Sequence, residues 1–312
     1  MYHAAMIQLD SVSKRYGRLV ALDDISVEVR PGAVGLLGPN GAGKSTLIKL
    51  LLGLVRLNGG SASVLGYDVQ RQSIQVRQLV GYMPEDDCYF AGLKAVESVA
   101  YAGRLAGMPA IAALRRAHEV LDYVRIGEER YREVQTFSTG MKQKVKLAQA
   151  LIHSPKLVFL DEPTSGLDPQ GRMKMLALVR NLAVEKGVSV VVSTHILSDV
   201  ERCCDAVLML GRGRLLAYDT LDNLRRPLDE SYHVRFEGQA AALVSALADE
   251  GCQAEELAPG ELRVRGPSDA VSGRVFRSAA RSGVAVRQLL PSRNSLEEIF
   301  LKAISENQHA DL

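Results

Sequence analysis

Hydrophobic and polar positions change period several times along this chain. Ala33–Leu37, Leu157–Leu160 and Val188–Ser193 are short apolar runs without alternation, the pattern of strands buried on both faces of a parallel sheet. Helical stretches lie between such runs, so the first part of the chain predicts an α/β layer architecture. Val207–Leu210 and Arg214–Ala217 flank Gly211-Arg212-Gly213 and predict a hairpin. Residues 90–153 read as helical almost throughout, an insertion of helices into the α/β body.

The last third has a different rhythm. Tyr232–Phe236, Glu261–Arg265 and Val284–Leu290 alternate like half-buried strands. Between them Leu243 and Leu247 share one helical face, and Val271, Val275 and Ala279 another. Ser295–Ile304 predicts a last amphipathic helix, with Ser295 as N-cap and Glu298 completing a capping box. Charge marks the same division. Residues 1–226 hold 29 basic and 23 acidic groups, net +6, and the remainder 9 and 13, net −4. A chain of 312 residues is long enough for about two domains. The expected boundaries are 1–226 and 227–312, with a helical subdomain over about 88–153 and a small α+β domain at the end.

Composition narrows the function. With 47% apolar and 24% charged residues, the chain buries a real core and is neither disordered, collagenous nor a coiled-coil array. A net charge of +2 supplies no strong pull towards nucleic acid or acidic lipid. Cys88, Cys203, Cys204 and Cys252 lack CxxC or metal-ligand spacing, so reduced thiols are expected. MYHAAMIQLD has no basic segment leading into an apolar run, so no secretory signal is expected. The longest apolar stretch, near Leu47–Val55, is broken by Lys49 and falls short of the roughly 18 residues a membrane span needs.

The chemistry is concentrated in a few places. Gly38-Pro39-Asn40-Gly41-Ala42-Gly43-Lys44-Ser45-Thr46 follows an apolar strand and opens a helical run, the context that GxxxxGK[ST] requires. Glycines let consecutive N–H groups turn inward around phosphates, and the following helix presents its positive end. Lys44 is expected to reach the β- and γ-phosphates, and Ser45 to bind Mg²⁺. About 120 residues downstream, Leu157-Val158-Phe159-Leu160 ends in Asp161-Glu162. A buried strand delivers Asp161 to the sheet edge as a Mg²⁺ ligand. Strand alternation sends Glu162 the other way, where it is expected to polarise water.

These residues resemble the ATP-binding subunits of ABC transporters, from residue 6 to about 225. Tyr16 matches the aromatic that stacks on adenine, Ser138-Thr139-Gly140-Met141-Lys142 the family signature, Ser165-Gly166-Leu167-Asp168 the D-loop, and His195 the switch histidine. The resemblance implies a P-loop NTPase core with antiparallel β and helical subdomains. It implies ATP and Mg²⁺ at Tyr16, Asn40, Gly41, Ala42, Gly43, Lys44, Ser45, Thr46, Glu85 and Asp161, with Glu162, His195 and Lys44 catalytic. Ser138, Gly140 and Asp168 are implied to meet the nucleotide held by a second subunit. Ser138 is expected to cap a helix from about Met141 to His153, an anion receptor at its N-terminus. His3, His118, His153, His233 and His309 are expected to be surface or packing residues.

Three positions depart from the family pattern. Glu85 occupies the place of a glutamine, adding negative charge near a triphosphate; in the signature Thr139 replaces a glycine and Met141 a glutamine. The signature form and the Ser295–Leu301 ending look like ABC-2-type exporter subunits. The resemblance implies a homodimer or heterodimer, peripheral on the cytoplasmic membrane face through an integral-membrane permease, with no nucleic acid partner. Tyr89, Phe90 and Leu93, just past Glu85, Asp86 and Asp87, are expected to receive that permease. The alternatives are a non-transport ABC ATPase of DNA repair or the ribosome, and a P-loop kinase. The first carries long coiled coils, zinc-binding cysteines or paired cassettes, and the second leaves the signature helix and His195 without a purpose.

Overall fold

A computed structural model of the chain describes residues 5–90, 92–224, 230–266 and 271–291. The chain divides into two compact units after Leu221. The first opens with strands β1 (Ile7–Tyr16), β2 (Leu19–Val29) and β3 (Ala33–Leu37), helix α1 (Lys44–Leu51), then β4 (Gly59–Val64), β5 (Tyr67–Asp68), α2 (Ser73–Leu79) and β6 (Val80–Met83). Helices α3 (Ala95–Leu105), α4 (Ala110–Tyr123) and α5 (Thr139–Leu151) follow. The unit returns through β7 (Leu157–Asp161), α6 (Pro169–Val184), β8 (Ser189–Thr194), α7 (Leu197–Cys203), β9 (Ala206–Gly211) and β10 (Arg214–Thr220).

Two sheets organise this unit. One has the order β2-β1-β4-β5 and is antiparallel; the other has the order β10-β9-β3-β8-β7-β6. Within the second, β9, β3, β8, β7 and β6 run parallel, and β10 closes on β9 as the expected antiparallel hairpin. Every residue of β3 and β7 is buried, which is why their sequences carry no alternation. Burying one Val or Leu side chain contributes about 1.5–3 kcal/mol. Leu36, Phe159, Val191 and Leu208 of the parallel sheet share one core with Ile7, Leu9 and Val29 of the antiparallel one.

Register fixes the site. Leu37 pairs with Thr194, Ser193 with Asp161, and Leu160 with Met83. Four parallel strands therefore end at one edge, and the residues that follow them emerge side by side. Ligands of open α/β sheets bind at the carboxyl ends of strands for this reason.

A single turn, α8 (Leu221–Leu224), spans the division in sequence. The second unit contains β11 (Glu230–Glu237), α9 (Ala240–Asp249), β12 (Gln253–Ala258), β13 (Glu261–Gly266), α10 (Val271–Ser282) and β14 (Ala285–Pro291). Its antiparallel sheet has the order β12-β13-β11-β14. Val234, Phe236, Leu262 and Val264 pack with Leu243 and Leu247 of α9 and Val271, Val275 and Ala279 of α10. The strand β12 was not foreseen: Gln253-Ala254-Glu255-Glu256-Leu257-Ala258 is mostly exposed, so pairing with β13, rather than apolar patterning, makes it a strand. The helix expected over Ser295–Ile304 lies outside the described residues.

Candidate functional site

The loop after β3 is shaped by its glycines. Gly43 has φ +102°, and a Cβ there would lie 2.6 Å from the Ala21 carbonyl oxygen, so no other residue fits without displacing β2. Gly43 is also the N-cap of α1, where no side chain caps the helix. The first amides of α1 thus remain open, the condition for anion binding at a helix start. Lys44 is 7% exposed, and its Nζ donates to the carbonyl oxygens of Gly38 and Pro39 at 2.7 and 3.2 Å. Burial lowers its pKa below the ordinary lysine value, opposed by the carboxylates of Glu162, Asp161 and Glu85.

These groups face one open cleft of about 470 Å³. Tyr16, all of Asn40–Thr46, Glu85, Asp161, Glu162 and His195 line it. Tyr16 stands at its rim, 44% exposed, with Lys14 Nζ 4.8 Å from its ring centroid. Leu19 and Val20 of β2 extend that apolar rim, and sequence reasoning missed them. Their signal was the turn at Gly17, which folds β2 back beside Tyr16.

Asp161 and Glu162 line the same cleft, which corrects the expectation that they point opposite ways. The strand β7 ends at Asp161, and Glu162 lies beyond it with φ +46°. Such a conformation costs a non-glycine residue about 1–3 kcal/mol. The backbone around it supplies compensating bonds: Glu162 N donates to the Ser193 carbonyl at 2.9 Å, and Ser165 N to that of Glu162 at 3.1 Å. The Glu162 carboxylate is 7% exposed and accepts from His195 Nδ1 at 2.8 Å and Thr194 Oγ1 at 3.3 Å. An ionised carboxylate only accepts, so Nδ1–H of His195 is the donor in this bond. Thr194, the last residue of β8, was missed; its adjacency to His195 was the available signal.

Asp161 is 3% exposed, and its Oδ1 has no hydrogen-bond partner among the described residues. A buried carboxylate oxygen without a donor calls for a cation. Ser45, Asp161 and Glu85 present oxygen only, the donor set of a hard divalent ion that keeps part of its shell for water and phosphate. No cluster of three or more His, Cys, Asp or Glu able to enclose a metal occurs among the described residues; these three oxygens would hold Mg²⁺ only in an open site completed by water and phosphate.

Ser138, Gly140 and Asp168 are not among the residues lining this cleft. Ser138 is the N-cap of α5, accepting from Met141 N at 3.4 Å, and the helix begins at Thr139 and ends at Leu151 rather than running from about Met141 to His153. Thr139 is tolerated because its backbone is already helical, so glycine's freedom is not needed. The same helix touches the 165–168 loop: Gln143 Nε2 donates to the Ser165 carbonyl at 3.2 Å. Asp168 caps α6, accepting from Gly171 N at 3.0 Å.

Comparison with known proteins points one way. The family model for ABC transporters matches residues 22–165. The daunorubicin resistance ATP-binding protein of Streptomyces coeruleorubidus is 33% identical, over 97% of this chain and 96% of that protein. The bacitracin transport ATP-binding protein of Bacillus licheniformis is 31% identical, over 96% of this chain and 98% of its own. A solved ATP-binding subunit of an ABC transporter superposes with TM-score 0.63 at 34% identity, covering 71% of this chain and 92% of that one.

Proposed function

The chain belongs to the ABC transporter ATP-binding family, binding and hydrolysing ATP, and from that premise we propose how its residues do so and what it drives. Two copies, or one copy and a related subunit, close over two Mg·ATP. The observation that carries this is the separation of Ser138 and Gly140 from the cleft that holds Lys44, Asp161, Glu162 and His195. A helix N-terminus is an anion receptor, and this one meets triphosphate only in another chain's cleft.

Tyr16 stacks on the adenine, and the amides of Asn40–Thr46 hold the phosphates. Lys44 exchanges the Gly38 and Pro39 carbonyls for phosphate oxygens. Ser45, Asp161 and Glu85 would hold Mg²⁺, which would supply charge neutralisation on the phosphates. Glu162 takes the proton of the attacking water as its oxygen bonds to Pγ and the bond from Pγ to the bridging oxygen breaks. His195 holds the Glu162 carboxylate through Nδ1 and directs Nε2 to the γ-phosphate. Asp168 and the 165–168 loop lie at the subunit junction.

The work is done on a separate integral-membrane permease, in the direction of export, with the chain peripheral on the cytoplasmic face. No helix among the described residues is long and apolar enough to cross a membrane. Relatives aligned over nearly the whole chain are resistance and transport proteins, which disfavours the DNA-repair and ribosome alternative. The permease docks just beyond Glu85. There Phe90 is 40% exposed, its ring edge-on to Tyr101 at 4.7 Å. The test is co-purification from detergent-solubilised membranes, wild type against Phe90→Glu. The expected outcome is one integral-membrane partner, lost in the variant with ATP binding intact. Recovery of ribosomes or repair proteins and no membrane protein overturns the reading.

A further inference from the structure

One stripe of α5 grips the segment that carries Glu85. Lys142, Lys146 and Gln149 recur at the spacing that stacks side chains on one helical face. Lys142 Nζ donates to Tyr89 Oη at 3.2 Å and lies 4.9 Å from its ring centroid. Lys146 Nζ donates to the Glu85 carbonyl oxygen at 2.7 Å. Gln149 Oε1 accepts from Cys88 Sγ at 3.6 Å, and its Nε2 donates to Ser98 Oγ on α3 at 3.0 Å. Residues 85–89 are thus fastened to α5 at Glu85, Cys88 and Tyr89.

Lys146 is the unusual member. It is 2% exposed, among the largest fully buried side chains. Placing an ammonium there costs free energy that a methionine or leucine of similar length would not. Burial lowers its pKa, opposed by Cys88, Asp87, Asp86 and Glu85, and its proton reaches the main chain at the residue whose side chain lines the nucleotide cleft. The helix that carries Lys146 begins at Ser138 and Thr139. A part-buried, charge-assisted bond therefore links the Glu85 main chain to the helix whose N-terminus presents the signature.

We propose that Lys146 is a positioning residue for hydrolysis: its bond to the Glu85 carbonyl holds that carboxylate at the cleft and ties its movement to the N-terminus of α5. This rests on the assignment of the cleft to ATP. Lys146 touches no substrate, and its effect is exerted through Glu85 and α5.

The experiment is a double-mutant cycle on ATPase kinetics of the full chain. Lys146→Met is expected to lower kcat about tenfold with KM for ATP within about twofold, and Lys146→Arg to restore most of it. In a Glu85→Ala background, Lys146→Met is expected to add less than about twofold, since residues acting as one unit are non-additive. Full multiplication of the two effects, or wild-type kcat in Lys146→Met, overturns the proposal. Amide hydrogen exchange supplies a readout independent of turnover. Lys142→Ala, at the less buried end of the stripe, is expected to accelerate exchange over residues 85–90, and unchanged exchange there overturns the proposal even if Lys146→Met does not fold. A wild-type chain without ATPase activity would instead defeat the assignment of the cleft, leaving the exchange result intact.

Discussion

Glu162 and His195 lie 33 residues apart in sequence, yet Glu162 Oε1 accepts from His195 Nδ1 at 2.8 Å. The pairing of β7 with β8 brings them together: Asp161 faces Ser193 in register, and each residue of interest follows its strand's last turn of chain. His195 remains half exposed while Glu162 is buried. The exposed imidazole can therefore offer Nε2 to a ligand while Nδ1 stays on the buried carboxylate.

Glu162→Gln is expected to keep ATP binding and cut turnover about 10²–10⁴-fold, the range for loss of a positioned base. ATP-bound protein should accumulate as a two-chain species on gel filtration. Turnover at the wild-type rate would remove Glu162 from the role.

Lys44 and His195 should separate. Lys44→Ala removes the cation nearest the phosphates and is expected to weaken nucleotide binding and hydrolysis together. His195→Ala is expected to spare binding, measured by titration calorimetry, and lower kcat about tenfold or more. Equal losses of affinity would contradict that division.

Glu85→Gln restores the residue the family pattern has there. Hydrolysis should persist, and the Mg²⁺ concentration giving half-maximal rate should fall, because one carboxylate fewer surrounds the phosphates. No change in rate or metal dependence would make Glu85 a bystander.

Acid should destabilise the protein through His153. Its Nε2 donates to the Val80 carbonyl at 3.1 Å, and burial lowers its pKa below the ordinary value of 6.5. The unfolded chain then binds a proton that the folded one refuses. The contribution is full above about pH 6.5 and is lost as pH falls from there through the folded pKa. His153→Gln should flatten the decline in urea midpoint between pH 7 and pH 5; an unchanged slope would show that other groups carry it.

Much of this was legible beforehand, for identifiable reasons. Strands buried on both faces have no polar positions, so β3 and β7 appear as uninterrupted apolar runs. The phosphate loop needs glycine at Gly43 because β2 passes too close for a Cβ, and that requirement is written in the chain. β12 was not legible, since its side chains are exposed and its pairing is a property of β13. Lys142 reads only as part of the signature segment and Lys146 carries no signal of its own, because nothing near either in sequence says that residues 85–89 will meet them.

By itself the sequence determined the phosphate loop, the acidic pair, the order of the motifs and the two-part character of the chain. Each depends on neighbours within a few residues: backbone freedom, apolar period and side-chain chemistry. Tertiary structure alone decided which way those groups face. Glu162 turns into the cleft with Asp161 because Ser193, on an adjacent strand, accepts its N–H in a left-handed conformation. Asp161 Oδ1 is buried without a hydrogen-bond partner among the described residues because the strands beside β7 bring no donor to it. Lys146 is buried, and its Nζ meets the carbonyl of Glu85, 61 residues away in sequence. Strand register and long-range packing impose these relations, and no window of the sequence contains both members of any pair.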